Sequence, residues 1–312
     1  MGMLVFDAAE TAALLPYPEL AAEIAAVLRA AARGEVSALE RGTLPLPGGG
    51  TFLSMAAADA QAAIVKVGSV HPLNVGRGLP TVQAVVVAVD AVDGRPRVVL
   101  DGTTVTTRRT AALSLLAARC VKARVRTVLV VGAGTQARGH VEAFAAGSAV
   151  ERVLVHGRDA GRAAALAQYV GALGLAAEVI EPGSLRQAVE AADTVITTTN
   201  SSTPVLGDVV APSLRPETTL VAVGAFTPAM AELAPAVVGR CDVIVDTLAG
   251  ARAEAGDLIQ AVAAGAWGWN GAGELVGVLE GFERGPRPVL FKSVGHSMFD
   301  LAATRLALRS SS

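Results

Sequence analysis

Aromatic residues are scarce in this chain, at 4%, and there are only 2 cysteines. Cys120 and Cys241 stand far apart and outside any C-x-x-C context, which argues against a disulfide framework and predicts reduced thiols. The 4 histidines (His71, His140, His156, His296) lack metal-ligand spacing, so no metal is expected. Basic runs are missing as well. With 26 Lys and Arg against 28 Asp and Glu, the net charge of −2 argues against nucleic acid or an anionic membrane as main partner. No apolar run reaches the roughly 18 residues of a membrane span. The longest, "VQAVVVAVDAV", is broken by Asp90 and reads as a strand. The opening "MGMLVFDAAETAALL" has neither a basic region nor a small-residue cleavage site, and a soluble, cytoplasmic protein is expected.

Small apolar residues are plentiful instead: the chain is 52% hydrophobic and carries 33 glycines, a composition suited to tight helix–sheet packing. Its first third reads as α+β. A helical period over 18–34 ends at Gly34, and "TFLSMAAA", "AAIVKVGSV", "TVQAVVVAVDA" and "RPRVVLDG" read as successive strands of an antiparallel sheet. "TTVTTRRTAALSLLAARCVKAR" then reads as a helix with Thr106 or Thr107 as N-cap. From about residue 126 strands alternate with helices: strands at 127–131, 152–156, 176–180, 194–198, 219–223, 242–246 and 288–293, helices around 135–146, 160–172, 184–191 and 250–264. The fold class is α/β, a Rossmann-type doubly wound parallel sheet plus an α+β N-terminal domain. The expected domains are 1–118 with the C-terminal helix 297–312, and 119–296.

The strand "TVLVV" runs into "GAGTQA" and a helix. Gly132 would make the tight turn, Gly134 would let the backbone approach a pyrophosphate, and Ala137 would let helix and strand pack closely. The second strand ends in "VHGRDAGR", with His156 and Gly157 where an NAD site usually carries an acid. Arg158 and Arg162 suit a 2′-phosphate, though two solvated helix-start arginines are the alternative. NADPH is the preferred cofactor, and the nearby Asp159 leaves NADH usable.

In the first domain Lys66 interrupts an apolar strand, Arg109 falls in the expected first turn of its helix, and Arg41 precedes a Pro/Gly loop. Singly each suits an ordinary surface charge; together they suit a carboxylate clamp aided by the helix N-terminus. His71 and His296 are other proton-carrier candidates, but a structural or solvated histidine is the expected reading for each.

The blocks "KVGSVHPLNVGRGLPTVQAVVVAVDAVDGRPRVVLDGTTVTTRRTAA", "VVGAGTQARGHVEAF", "TTTNSSTPVLG", "VAVGAFTPAMAEL" and "FKSVGHSMFDLAA" follow one another in an order that resembles the ornithine cyclodeaminase/μ-crystallin family. The resemblance runs over nearly the whole chain and implies a homodimer built through the N-terminal domains. It places the substrate carboxylate near Arg41, Lys66 and Arg109, with Met55 lining the pocket. Thr81 and Arg109 would also touch the cofactor, Thr135, Gln136 and Ala137 its pyrophosphate, and Arg158 its ribose end. Thr197, Thr198 and Thr199 would pass along the dinucleotide, and Val223, Gly224, Ala225 and Val294 would lie beside the nicotinamide.

One departure is informative. Cyclodeaminases of the family carry an aspartate in a "GAD" motif, and this chain reads "VGAFTPAM", with Phe226 in its place. A phenyl ring neither accepts a proton nor orients an ammonium, but it packs against the methylenes of a small ring. The resemblance therefore implies a ketimine reductase. Its substrate would be a small cyclic imino acid: Δ1-pyrroline-2-carboxylate reduced to L-proline, or Δ1-piperideine-2-carboxylate to L-pipecolate. Lys66 and Arg109 would be the catalytic residues. An amino-acid cyclodeaminase, an amino-acid dehydrogenase or a non-catalytic NADPH-binding crystallin-like protein are the alternatives.

Overall fold

The structure is a computed structural model that describes residues 2–121 and 125–311. It divides into two compact units, Met1–Leu113 with His296–Ser312, and Ser114–Gly295. The expected boundary at 118/119 falls in the same helix as the observed one.

In the first unit, β1 (Leu4–Phe6) leads to α1 (Ala8–Ala13), and α2 (Tyr17–Ala32) buries a stripe that includes Leu20, Ile24, Val27 and Leu28. There follow β2 (Ser37–Ala38), β3 (Gly42–Leu46), β4 (Gly50–Ala58), β5 (Ala62–Val70), β6 (Val82–Asp90) and β7 (Pro96–Asp101). The strands form one sheet in the order β1-β7-β6-β5-β4-β2, with β3 also paired to β4. The expected antiparallel pairing holds through the strands from β2 to β7, but β1 adds a parallel edge on β7. That edge and the short β2 and β3 lie outside the apolar runs from which strands were read.

Register fixes which side chains share a face. Met55, Lys66, Val86, Leu100 and Phe6 stand in one transverse row; Ala56, Val65, Val87, Val99 and Val5 stand in the next, on the opposite face.

Helix α3 (Gly102–Val121) begins at Gly102, not near the threonines expected to cap it. Asp101 Oδ1 accepts the Thr104 N–H at 2.7 Å and makes the cap. Thr106, Thr107 and Thr110 donate instead to carbonyls four residues back, which lets this threonine-rich stretch sit inside the helix. A Cβ on Gly102 would stand 2.6 Å from backbone atoms of Ala84 and Val85, so glycine is what lets α3 start against β6. The helix's expected last residues, 122–124, lie outside the described residues.

In the second unit the order is β8 (Thr127–Val131), α4 (Thr135–Gly147), β9 (Arg152–His156), α5 (Ala160–Ala172), β10 (Ala176–Val179), α6 (Leu185–Ala191), β11 (Thr194–Thr197) and β12 (Thr219–Ala222). Then come α7 (Pro235–Gly239), β13 (Asp242–Val245), α8 (Leu248–Glu254), α9 (Gly256–Ala263), β14 (Ala272–Glu274), α10 (Leu275–Val278) and β15 (Val289–Lys292). The sheet is wholly parallel, in the order β10-β9-β8-β11-β12-β15-β13-β14. The single helix expected over 250–264 is two. A Cβ on Gly256 would stand 2.0 Å from the Met230 carbonyl oxygen, so the chain turns there around the 227–230 loop.

The last helix, α11 (Ser297–Ser310), returns to the first unit and packs on α2 and against β4 and β5. It buries Met298, Phe299, Leu301 and Leu306, and Asp300 among them. Arg305 and Arg309 pair with Glu23 of α2, and Arg305 also with Asp59. Among the described residues no helix is long and apolar enough to cross a membrane.

Candidate active site

In the second unit the strand order reverses between β8 and β11, where open parallel sheets bind ligands beyond their carboxyl ends. The β8–α4 turn lies there. Gly132 has φ +121°, and a Cβ on it would stand 2.5 Å from Thr198 Oγ1, so two reasons exclude a side chain. Gly134 is the N-cap of α4 and brings no side-chain oxygen, so no cap covers the amide groups of the first turn. A Cβ there would meet only Arg162 Nη2, at 3.9 Å. Open space, an uncapped helix end and a nearby guanidinium fit a pyrophosphate. Thr135 is exposed, Gln136 half-buried with its Oε1 unpartnered, and Ala137 buried against the sheet.

At the end of β9, His156 Nδ1 is engaged by the Ile180 carbonyl at 3.0 Å. Asp159 is the N-cap of α5, with Oδ1 accepting the Arg162 N–H at 3.0 Å. Arg158 and Arg162 are exposed. The carboxylate nearest the ribose end is thus committed to a helix cap, while the guanidinium groups stand in solvent.

The loops after β11 and β12 are tied together by a residue the sequence reading missed. Glu232, fully buried, accepts from Thr199 N–H (2.6 Å) and Thr199 Oγ1 (3.0 Å) on one oxygen, and from Gly224 N–H (2.7 Å) and Ala225 N–H (3.3 Å) on the other. Burial pushes its carboxyl above the usual range; Lys292 and the amide donors oppose that. Asp257 accepts the Glu232 and Leu233 N–H groups and pairs with Lys292 at 2.7 Å, and Lys292 donates to the Ala225 carbonyl at 2.6 Å. A Cβ on Gly224 would stand 1.9 Å from the Thr199 carbonyl oxygen, which is how closely the two loops approach. Phe226 follows them, half-buried. After β15, Asp246 Oδ2 accepts from Ser293 Oγ, Val294 N–H and Gly295 N–H, holding Val294 in place.

In the first unit, Lys66 on β5 lies opposite Met55 on β4, both on the core face. Its Nζ donates to Asp300 Oδ2 at 2.8 Å and, more weakly, to Thr106 Oγ1 at 3.5 Å. Arg109 Nε stands 3.4 Å from Asp300 Oδ1, and neither atom has a hydrogen-bond partner. Exposure is 7% for Lys66, 6% for Arg109 and 0% for Asp300, so these are not surface charges. Burial, partly offset by Asp300 and reinforced by Arg109 and Arg41, brings the Lys66 ammonium down to about 8. Arg41 is half-buried just before β3, and Thr81 half-buried just before β6.

A model of the ornithine cyclodeaminase/mu-crystallin family matches residues 3–310. The chain belongs to this family. Within it, the chain is 44% identical over 304 residues to Delta(1)-pyrroline-2-carboxylate reductase 1 of Burkholderia multivorans, covering 97% of this chain and 94% of that one. Identity to the Delta(1)-pyrroline-2-carboxylate/Delta(1)-piperideine-2-carboxylate reductase of Azospirillum brasilense is 41% over 304 residues, with the same 97% and 94% covered. A solved structure of Thermococcus litoralis Delta(1)-pyrroline-2-carboxylate reductase in complex with NADH and L-proline superposes with a TM-score of 0.92 at 26% identity, covering 99% of this chain and 97% of that one.

One expectation needs correction. Arg109 is not in the first turn of its helix: α3 starts at Gly102, and the field of a helix end falls off within a turn, so Asp300 and not the helix dipole is its electrostatic partner. His296 caps α11, its Nδ1 accepting the Met298 N–H at 3.3 Å, a structural role of the kind expected for it. His71 Nδ1 and Cε1 fill the space where a Cβ on Gly50 would be. His140 is enclosed between Ser114 Oγ and the Gln136 carbonyl, and burial brings it down to about 4.

Proposed function

We propose that this protein reduces the C=N bond of a cyclic ketimine carboxylate with NAD(P)H, forming L-proline from Δ1-pyrroline-2-carboxylate and L-pipecolate from Δ1-piperideine-2-carboxylate. The observation that carries this reading is the buried Lys66–Asp300–Arg109 cluster, in a chain whose relatives are named as reductases of these rings. NAD(P)H, when bound, supplies a hydride to C2 of the ring. The chain's own residues supply the rest.

Arg109, with its unpartnered Nε, and Arg41 take the substrate carboxylate and orient the ring. Lys66 gives a proton to the imine nitrogen, because an iminium accepts hydride far more readily than an imine; an ammonium brought down to about 8 is well matched to this task. Each turnover consumes one hydride and one proton, and Lys66 regains its proton from solvent. Phe226, in the place of the cyclodeaminases' aspartate, offers apolar surface and no acid, which suits a ring already closed.

Arg158 and Arg162, beside an Asp159 committed to capping α5, support a preference for NADPH; the relative solved with NADH supports use of both cofactors. The Val5, Val65, Val87 and Val99 row supports a homodimer, since Val5 is 64% and Val65 37% exposed in one apolar row. Sedimentation of the purified protein tests this, and a monomer at micromolar concentration would refute it. A cytoplasmic location belongs to the same proposal.

The decisive experiment is oxidation of NADPH and NADH by the purified protein with each ring, with L-ornithine plus NAD as control. Turnover of either ring without ammonia release from ornithine supports the reading. Silence with both rings removes it.

A further inference from the structure

Asp300 is the one anion that meets both Lys66 and Arg109 among the described ion pairs, and it comes from a helix far away in sequence. Its carboxylate is fully buried, with one oxygen toward each cation. A clamp of Lys66, Arg109 and Arg41 alone would hold a substrate carboxylate but raise the energy of an iminium beside it. It would also strip Lys66 of its proton, since burial and two neighbouring guanidinium groups all disfavour a charged ammonium there. Asp300 opposes both effects.

We infer that Asp300 is a positioning residue for ketimine reduction: it holds the Lys66 ammonium in place and charged, and remains as the counter-charge when the proton has passed to the imine nitrogen. The inference rests on the reductase reading. The groups facing Lys66 are Asp300 from α11, Thr106 and Arg109 from α3, and Arg41 from the segment before β3. Of these, Asp300 supplies both the charge and the hydrogen bond that favour the ammonium. At 3.4 Å Arg109 Nε and Asp300 Oδ1 make no hydrogen bond, so Arg109 keeps donor capacity for a substrate carboxylate while Lys66 is held by Asp300 Oδ2.

The sign follows directly. Proton donation needs the ammonium, so activity is present below the Lys66 pKa and lost as pH rises through it. Removing the charge of Asp300 lowers that pKa and brings the loss to lower pH. The test is the pH profile of kcat/KM on Δ1-pyrroline-2-carboxylate for wild type, Asp300→Asn and Asp300→Glu, with NADPH binding as the check on folding. The ring's own titration is common to all, so the difference isolates the protein.

We expect the alkaline limb of Asp300→Asn to fall by about one pH unit or more. We expect Asp300→Glu to keep its limb within about 0.3 unit while kcat drops about tenfold or more through misplacement. An Asn variant that binds NADPH normally with an unmoved limb would overturn the inference. If Asn does not fold, Glu decides: a normal kcat overturns it, and a lowered kcat with the limb in place supports it. Carbon-13 lysine NMR, with the Lys66 signal assigned by its loss in Lys66→Met, reads the same shift without turnover. A wild type silent with both rings but shifted by Asp300→Asn in that titration would sink the reductase reading and leave the Lys66–Asp300 coupling standing.

Discussion

Each unit buries a lysine–aspartate pair at almost the same distance, 2.8 Å for Lys66–Asp300 and 2.7 Å for Lys292–Asp257, yet the surroundings differ. Around Lys292 the polar groups are claimed mostly by backbone: Asp257 takes two amides, Glu232 takes three amides and the Thr199 hydroxyl, and Lys292 itself reaches a carbonyl. Around Lys66, among the described residues, no backbone group takes part in the pairing, and Arg109 Nε and Asp300 Oδ1, 3.4 Å apart, lack hydrogen-bond partners, whereas Asp257 Oδ2, also without one, stands 2.7 Å from its cation Lys292. A closed network fixes loops. An open one keeps capacity for a ligand, at the cost of buried groups that are not fully satisfied. The lesson is that the same ion pair reads as scaffold or as working site according to what else its atoms touch.

The same substitution in both places breaks the comparison most severely. Lys66→Met should lower kcat/KM by about a thousandfold, the scale of a lost general acid, while cofactor binding persists. Lys292→Met leaves Asp257 buried without its cation and should cost about 3–5 kcal/mol of stability. Activity assays and denaturant unfolding on both variants check this. Equal losses of stability with equal losses of turnover would erase the distinction.

A smaller effect is expected at the staple between the loops. Glu232→Gln keeps the shape but presents an amide NH2 to amide donors, so one pair of hydrogen bonds is lost. At about 1–3 kcal/mol for a buried group left unsatisfied, the cofactor KM should rise by about fivefold to a hundredfold, with kcat changed less. Steady-state kinetics in NADPH would show it, and an unchanged KM would mean that Thr199 and Gly224 hold their places without Glu232.

The second unit was largely legible because its signals are local. Strand–helix alternation and the Gly132–Gly134 turn are written within a few residues of each other, and β8, β9 and α5 lie where periodicity put them. The short β14, α7 and α10 carry too little pattern to be read. Lys66 was legible as a charge inside an apolar strand. Asp300 is the same signal inside the apolar face of α11 and was missed, because its meaning lies in a partner 234 residues away. Arg109 was read for the wrong reason: threonines that bond back within α3 look like caps when seen only in sequence.

Arg158 and Arg162 sharpen the comparison from its weak end, since they are exposed cations where Lys66 and Arg109 are buried ones. Solvent screens an exposed guanidinium, so neither should matter to folding. A 2′-phosphate, however, carries concentrated negative charge that planar guanidinium groups grip bidentately, and NADH lacks it. Replacing both by Ala should therefore weaken NADPH by about tenfold, near 1.4 kcal/mol, while NADH changes little. The readout is the ratio of kcat/KM for the two cofactors, measured at low and high salt. A real 2′-phosphate contact makes the wild-type preference shrink as salt rises and disappear in the double variant. Equal loss with both cofactors would place the arginines on the shared pyrophosphate, an outcome the position of Arg162 Nη2, 3.9 Å from where a Cβ on Gly134 would stand, leaves room for.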